Sequence, residues 1–137
     1  MSNFVIASGH TASGNIGCGV VADLDESRCT REISQLVGKE LEVRGHKANL
    51  LIIDKSNTYN CEDCYVRAQM ASTLAQKEEV DLYVEIHINE GGGTGCEVLV
   101  TAILLQQINM LPRYVLHFRC FRNSKQGSQV TESYSTE

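Results

Sequence analysis

A chain of 137 residues, 42% of them hydrophobic, is long enough to build one domain with a substantial core. Its formal charge of −5 and pI near 5.3 exclude a general polyanion binder, because neutralising phosphates needs clustered Lys and Arg, so nucleic acid is not an expected partner. No apolar run reaches the roughly 20 residues that span a bilayer, and Met1-Ser2-Asn3 does not start a signal peptide, so we expect synthesis in the cytoplasm and no transmembrane segment.

Residues 4–8, Phe-Val-Ile-Ala-Ser, read as a short buried strand closed by Gly9, with His10 just past its C-terminal end. Thr11 to Asp23 carries Gly14, Gly17 and Gly19 among small polar residues, a loop whose backbone can pass close to another group. Over residues 26–43, Ile33, Leu36, Val37 and Leu41 recur at helical spacing, with Asp23 or Asp25 placed to cap the first turn and Gly45 to end the helix. Glu26 opens that helix, where its dipole favours a carboxylate even without a functional task. Residues 47–53 read as a second strand and 65–77 as a second helix through Val66, Met70 and Leu74, with Arg67 on another flank.

Residues 82–89, Leu-Tyr-Val-Glu-Ile-His-Ile-Asn, form the most informative stretch. Side chains alternate across a strand, so Glu85, His87 and Asn89 share one face while Val84, Ile86 and Ile88 share the other. The glycine-rich segment 90–95 then leads to a strand over 96–100, expected to pair with its predecessor as a hairpin. The order strand, helix, strand, helix, strand predicts an α/β fold: a single three-layer domain whose mostly parallel or mixed sheet is flanked by helices, with an incomplete C-terminal part.

Catalytic zinc takes three protein ligands from His, Asp and Glu and keeps a fourth position open, and His10, Glu26 and His87 supply such a set. Ser8-Gly9-His10, Glu26, Arg44-Gly45-His46-Lys47, Arg67-Ala68, Val80-Asp81, Glu85-Ile86-His87-Ile88-Asn89 and Gly95-Cys96-Glu97-Val98, in this order and spacing, resemble the zinc-dependent N-acetylmuramoyl-L-alanine amidases of autolysins and phage endolysins. The resemblance covers residues 4–100. It implies Zn2+ held by His10, Glu26 and His87, and hydrolysis of the amide between N-acetylmuramic acid and L-alanine in peptidoglycan, on the cell wall after release from the cytoplasm. Glu85 and Asn89, on the face of His87, could orient a ligand imidazole or contact substrate. Arg67 matches an arginine of the family pattern, but an Arg on a helix flank is usually structural, a solvated charge or an ion-pair partner.

The family pattern also has a second glutamate, in an apolar-Glu-Gly-type segment near the end of the domain, and none stands here. Glu132 and Glu137 lie among Ser, Thr and Tyr, so no catalytic carboxylate is assigned. The chain is accordingly divided into an amidase-like core, 1–100, and a divergent segment, 101–137, with no separate wall-binding domain. Two readings follow: an active amidase, or a zinc-binding, catalytically impaired wall-binding or regulatory form. Apolar residues such as Ile103-Leu104-Leu105 and Val115-Leu116, exposed if the domain is truncated, predict self-association. Of the six cysteines, Cys61 and Cys64 have the spacing of half a structural zinc site but lack a second half, so thiols are the expected state.

Overall fold

The computed structural model describes residues 1–55, 62–89, 95–101 and 115–121. Five strands and two helices follow in the order β1 (Asn3–Ser8), α1 (Glu26–Val43), β2 (Lys47–Leu51), α2 (Glu62–Ala75), β3 (Leu82–Asn89), β4 (Gly95–Thr101) and β5 (Val115–Phe121). They form one mixed sheet of order β2-β1-β3-β5-β4, parallel throughout except where β4 runs antiparallel to β5.

Alternation along β1 and β3 divides the core between two faces. Val5, Ala7 and Tyr83 pack with Leu51, Val80 and Ala71, and Leu74 and Ala75 of α2 close that cluster. Ile6, Val84 and Ile86 pack on the opposite face against Val37 and Leu41 of α1. The expected three layers, helix on sheet on helix, are therefore present, and each fully buried Val or Ile contributes about 1.5–3 kcal/mol.

Both helices bury a stripe other than the most apolar one. In α1 the buried residues are Glu26, Ser27, Thr30, Ser34 and Gly38, while Leu36 is 65% exposed. Small residues at helical spacing let the axis lie close to the sheet; a Cβ on Gly38 would stand 3.0 Å from Leu50 Cδ2. In α2 the buried residues are Asp63, Arg67 and Ala71, and Met70 turns partly to solvent. The helix ends follow the predicted chemistry: Asp25 accepts from the Arg28 amide at 3.0 Å, and Gly45, with φ of 80°, follows the Arg44 cap.

The predicted hairpin of β3 with β4 does not form. β3 pairs along its outer side with β5, from Tyr83↔Val115 to Asn89↔Phe121, and β4 pairs with β5 instead. With β1 on one edge and β5 on the other, β3 has no edge left for β4. A segment placed beyond the amidase-like core thus supplies an inner strand. Residues Ile103-Leu104-Leu105, Glu132 and Glu137 lie outside the described residues, as does Cys61.

The path of the chain places the functional crevice. From β1 it runs outward to β2, then crosses back by α2 to β3 on the other side of β1. Open α/β sheets bind ligands where successive connections diverge in this way, beyond the C-terminal ends of the strands. Here that point lies between the ends of β1 and β3, where His10 and His87 stand.

Candidate functional site

His10 follows β1 with φ of 65°, the one non-glycine residue in the left-handed region among the described residues. For an L-residue this conformation costs roughly 1–2 kcal/mol and persists only where surroundings fix it. The carbonyls on either side are both tied to α1: Thr30 Oγ1 donates to Gly9 O at 3.1 Å, and Arg31 Nη1 donates to Thr11 O at 3.0 Å, joined there by the Ser27 hydroxyl. Arg31 Nη2 also donates to Ile53 O at 2.6 Å, so the same helix turn holds the end of the β2 segment.

Glu26, the first residue of α1, is 6% exposed and accepts from two backbone amides, Val20 to Oε2 and Ile88 to Oε1, both at 3.2 Å. Burial pushes its carboxyl upward, but the hydrogen bond and charge of His10, with those two amides, hold it below the usual carboxylate range. His87 comes from the α2-facing side of β3. The result is a cluster of His10, Glu26 and His87 whose potential ligand atoms all lie within 4.8 Å of one another.

Hydrogen bonding on the outer side of each imidazole fixes which atoms face inward. His10 Nδ1 stands 3.2 Å from the Gly17 carbonyl, and His87 Nε2 stands 2.7 Å from Glu85 Oε1. A carbonyl and a carboxylate only accept, so each of these nitrogens carries the proton. The inner atoms, His10 Nε2, His87 Nδ1 and Glu26 Oε1, each offer a lone pair once the proton bridging His10 Nε2 and Glu26 Oε1 is displaced, with His10 Nε2 at 2.7 Å from Glu26 Oε1 and 3.1 Å from His87 Nδ1. A proton satisfies one of these pairs. A metal ion satisfies all three, and tetrahedral zinc ligands at roughly 2.0–2.1 Å stand roughly 3.3 Å apart.

Charge points the same way. Behind His87, Arg67 is fully buried, with Nη1 at 2.7 Å from Asp63 Oδ2 and Nη2 at 3.0 Å from Glu85 Oε1. Asp63 and Glu85 thus share one guanidinium while the buried Glu26 faces the imidazoles, so these three carboxylates and Arg67 carry an excess negative charge that a dication would offset.

The structure brings His10, Glu26 and His87 together with Glu85 behind His87, and makes Arg67 a buried ion-pair partner rather than a solvated charge. Asn89 ends β3; its side chain lies outside what is described. Sequence reasoning missed Ser27, Thr30 and Arg31, whose signal was only a run of polar residues on the helix face toward the His10 loop. The loop carrying Gly19 was read as passing close to another group, and that group is the cluster, whereas the close approach of Gly9 was not read. A Cβ on Gly19 would lie 2.6 Å from Glu26 Oε2, and one on Gly9 would lie 2.7 Å from His87 Nδ1 and from Ile86 O. Because the Ile86 oxygen is backbone, Gly9→Ala is expected to lower stability by about 1–3 kcal/mol in denaturant melts. An unchanged midpoint would show that β1 and β3 can part without cost.

Residues 4–136 match the family model for N-acetylmuramoyl-L-alanine amidase, a match that continues past Val100. No curated protein matches the chain in sequence. Among solved structures, the catalytic domain of an endolysin targeting Clostridia difficile superposes with a TM-score of 0.62 at 15% identity, covering 86% of this chain and 80% of that one. The catalytic domain of the amidase CwlV from Bacillus (Paenibacillus) polymyxa var. colistinus gives 0.56 at 17% identity, over 87% and 81% of the two chains. The CwlD amidase from Clostridioides difficile, solved in complex with the GerS lipoprotein, gives 0.55 at 14% identity, over 88% and 83%. At these identities the superpositions establish a shared fold.

Proposed function

We propose that this chain, which belongs to the N-acetylmuramoyl-L-alanine amidase family over residues 4–136, is a zinc-dependent hydrolase of the amide joining N-acetylmuramic acid to L-alanine in peptidoglycan. It acts on the cell wall after release from the cytoplasm. The observation that carries the metal reading is the convergence of His10 Nε2, His87 Nδ1 and Glu26 Oε1 on one another, with the far nitrogen of each imidazole already held by an acceptor outside the cluster. When bound, zinc supplies Lewis acidity to an amide carbonyl and lowers the pKa of a water molecule.

The chain's own residues have separate tasks. His10, Glu26 and His87 would hold the ion, with Gly17 O and Glu85 fixing the two imidazole tautomers. Val20 and Ile88 amides keep the Glu26 carboxylate ionised and in place. The crevice at the ends of β1 and β3 leaves the outer side of the cluster open to a wall strand: His10 and His87 are partly exposed, while Glu26 and Glu85 are buried.

One observation favours a second reading, a form that binds zinc and the wall without cleaving. Among the described residues, each carboxylate at the site is already committed, Glu26 to the ligand set and Glu85 to Arg67, Tyr83 and His87. Neither is available to move a proton for water. The two readings part on one preparation of the whole chain. Zinc is counted per protein, the metal is stripped with a chelator and restored, and peptidoglycan is assayed for new L-alanine amino termini. About one zinc with hydrolysis that follows its removal and return supports the amidase. Zinc with wall sedimentation and no hydrolysis selects the binding form, and a protein that takes up no zinc overturns both.

A further inference from the structure

His87 could present either ring edge to the cluster, since the χ2 torsion of histidine is broad and roughly two-fold and the strand backbone does not choose between orientations. The choice is made two residues earlier. Glu85 lies on the same face of β3, is 6% exposed, and its Oε1 accepts a hydrogen bond from His87 Nε2 at 2.7 Å, which turns Nδ1 toward His10. The carboxylate is in turn fixed from two sides. Tyr83 Oη donates to Oε2 at 2.7 Å, and Arg67 donates to Oε1 through Nε at 3.2 Å, with Asp63 behind it at the start of α2.

We propose that Glu85 is a positioning residue that acts through His87: it selects Nδ1 as the nitrogen offered to the metal, and Arg67 and Tyr83 hold it in place to do so. A carboxylate accepting the outer N–H also raises the electron density of the ligating nitrogen, so the pair sets affinity as well as orientation. The inference rests on the zinc reading above and adds to it a residue that touches neither metal nor substrate.

The test is a double-mutant cycle on zinc affinity, measured by chelator competition with the full-length chain. Glu85→Ala is expected to weaken zinc binding about 10–100-fold, and Glu85→Gln to recover most of that loss, because its amide oxygen can still accept from His87 while its NH2 group donates to the Tyr83 oxygen. In a His87→Ala background the same Glu85→Ala change is expected to have no further effect, which a general loss of structure would not produce. Should Glu85→Ala fail to fold by circular dichroism, Glu85→Asp takes its place in the cycle, keeping the charge beside Arg67 but withdrawing it from His87 by one carbon–carbon bond. Affinity unchanged in the Glu85 variant, or an equal loss with and without His87, overturns the proposal. Wild-type protein that binds no zinc overturns the zinc reading as well, so the two failures are told apart.

Discussion

His10→Ala, Glu26→Ala and His87→Ala are each expected to lose tight zinc binding, keeping only the weak affinity of the two remaining ligands, and, if the chain is active, to lower amide hydrolysis by about 10³-fold or more. The figure follows from several kcal/mol of Lewis-acid stabilisation of the transition state, at about 1.4 kcal/mol per factor of ten. Stability gives a readout independent of catalysis. A ligand bound only by the folded state adds about 4 kcal/mol at a thousandfold excess over its Kd, so zinc should raise the melting temperature of the wild type and leave all three variants where they were. Without zinc the order is expected to differ. The wild type then holds His87 Nδ1 at 3.1 Å from His10 Nε2 with no ion between them, and removing His87 relieves that contact. His87→Ala should therefore melt no lower than the metal-free wild type. His10→Ala should melt modestly lower, because the buried Glu26 carboxylate loses the hydrogen bond and charge that hold it ionised while alanine keeps the left-handed φ. A large loss in both variants without metal would mean that the imidazoles hold the fold together, and would count against a site built for an ion.

Much of this arrangement was legible in the sequence, and what was not has a physical cause. Strand alternation put Glu85 and His87 on one face because a period of two leaves no other option for a strand buried on both sides. Glu26 was placed by helix capping, since Asp25 starts α1 one residue earlier. The position of β5 was not readable, because strand order depends on which edges remain free, a property of the assembled sheet and not of any local pattern. The buried face of α1 was misread for a related reason. Ser27, Thr30 and Ser34 are polar by type, yet they are small, and they bury where Ile33 and Leu36 do not because their size lets the helix approach the sheet. Two of them carry hydroxyls that bind the carbonyls flanking His10, so the same choice that brings the helix close also fixes the first metal ligand. Hydrophobic periodicity weighs polarity and cannot see that size decides.

Arg67→Ala is expected to destabilise the fold by about 3–5 kcal/mol, a large part of the roughly 5–15 kcal/mol that a domain of this size holds. The guanidinium is fully buried between Asp63 and Glu85, and its removal strands two carboxylates that are themselves 2% and 6% exposed. Burial lifts the Glu85 carboxyl, but the His87 hydrogen bond, the Arg67 charge and the Tyr83 hydroxyl draw it down to about 2. Its contribution is therefore present above the ordinary carboxylate range near 4.5 and is lost as pH falls toward about 2, so the deficit of Arg67→Ala should shrink in acid melts. A buried ion pair is nevertheless weak proof of a stabilising purpose, since replacing all its members by neutral groups of similar shape is often neutral or favourable. The triple variant Arg67→Met, Asp63→Asn, Glu85→Gln separates the two purposes. It is expected to regain most of the lost stability, because no charge is left unpaired. It should still bind zinc more weakly than the wild type, because losing two carboxylates and one guanidinium leaves one net negative charge fewer to balance the dication and the His87 imidazole has lost its charged partner. Recovery of stability together with wild-type zinc affinity would reduce the network to packing. Recovery of stability alone would show that these buried charges are retained for the metal they face.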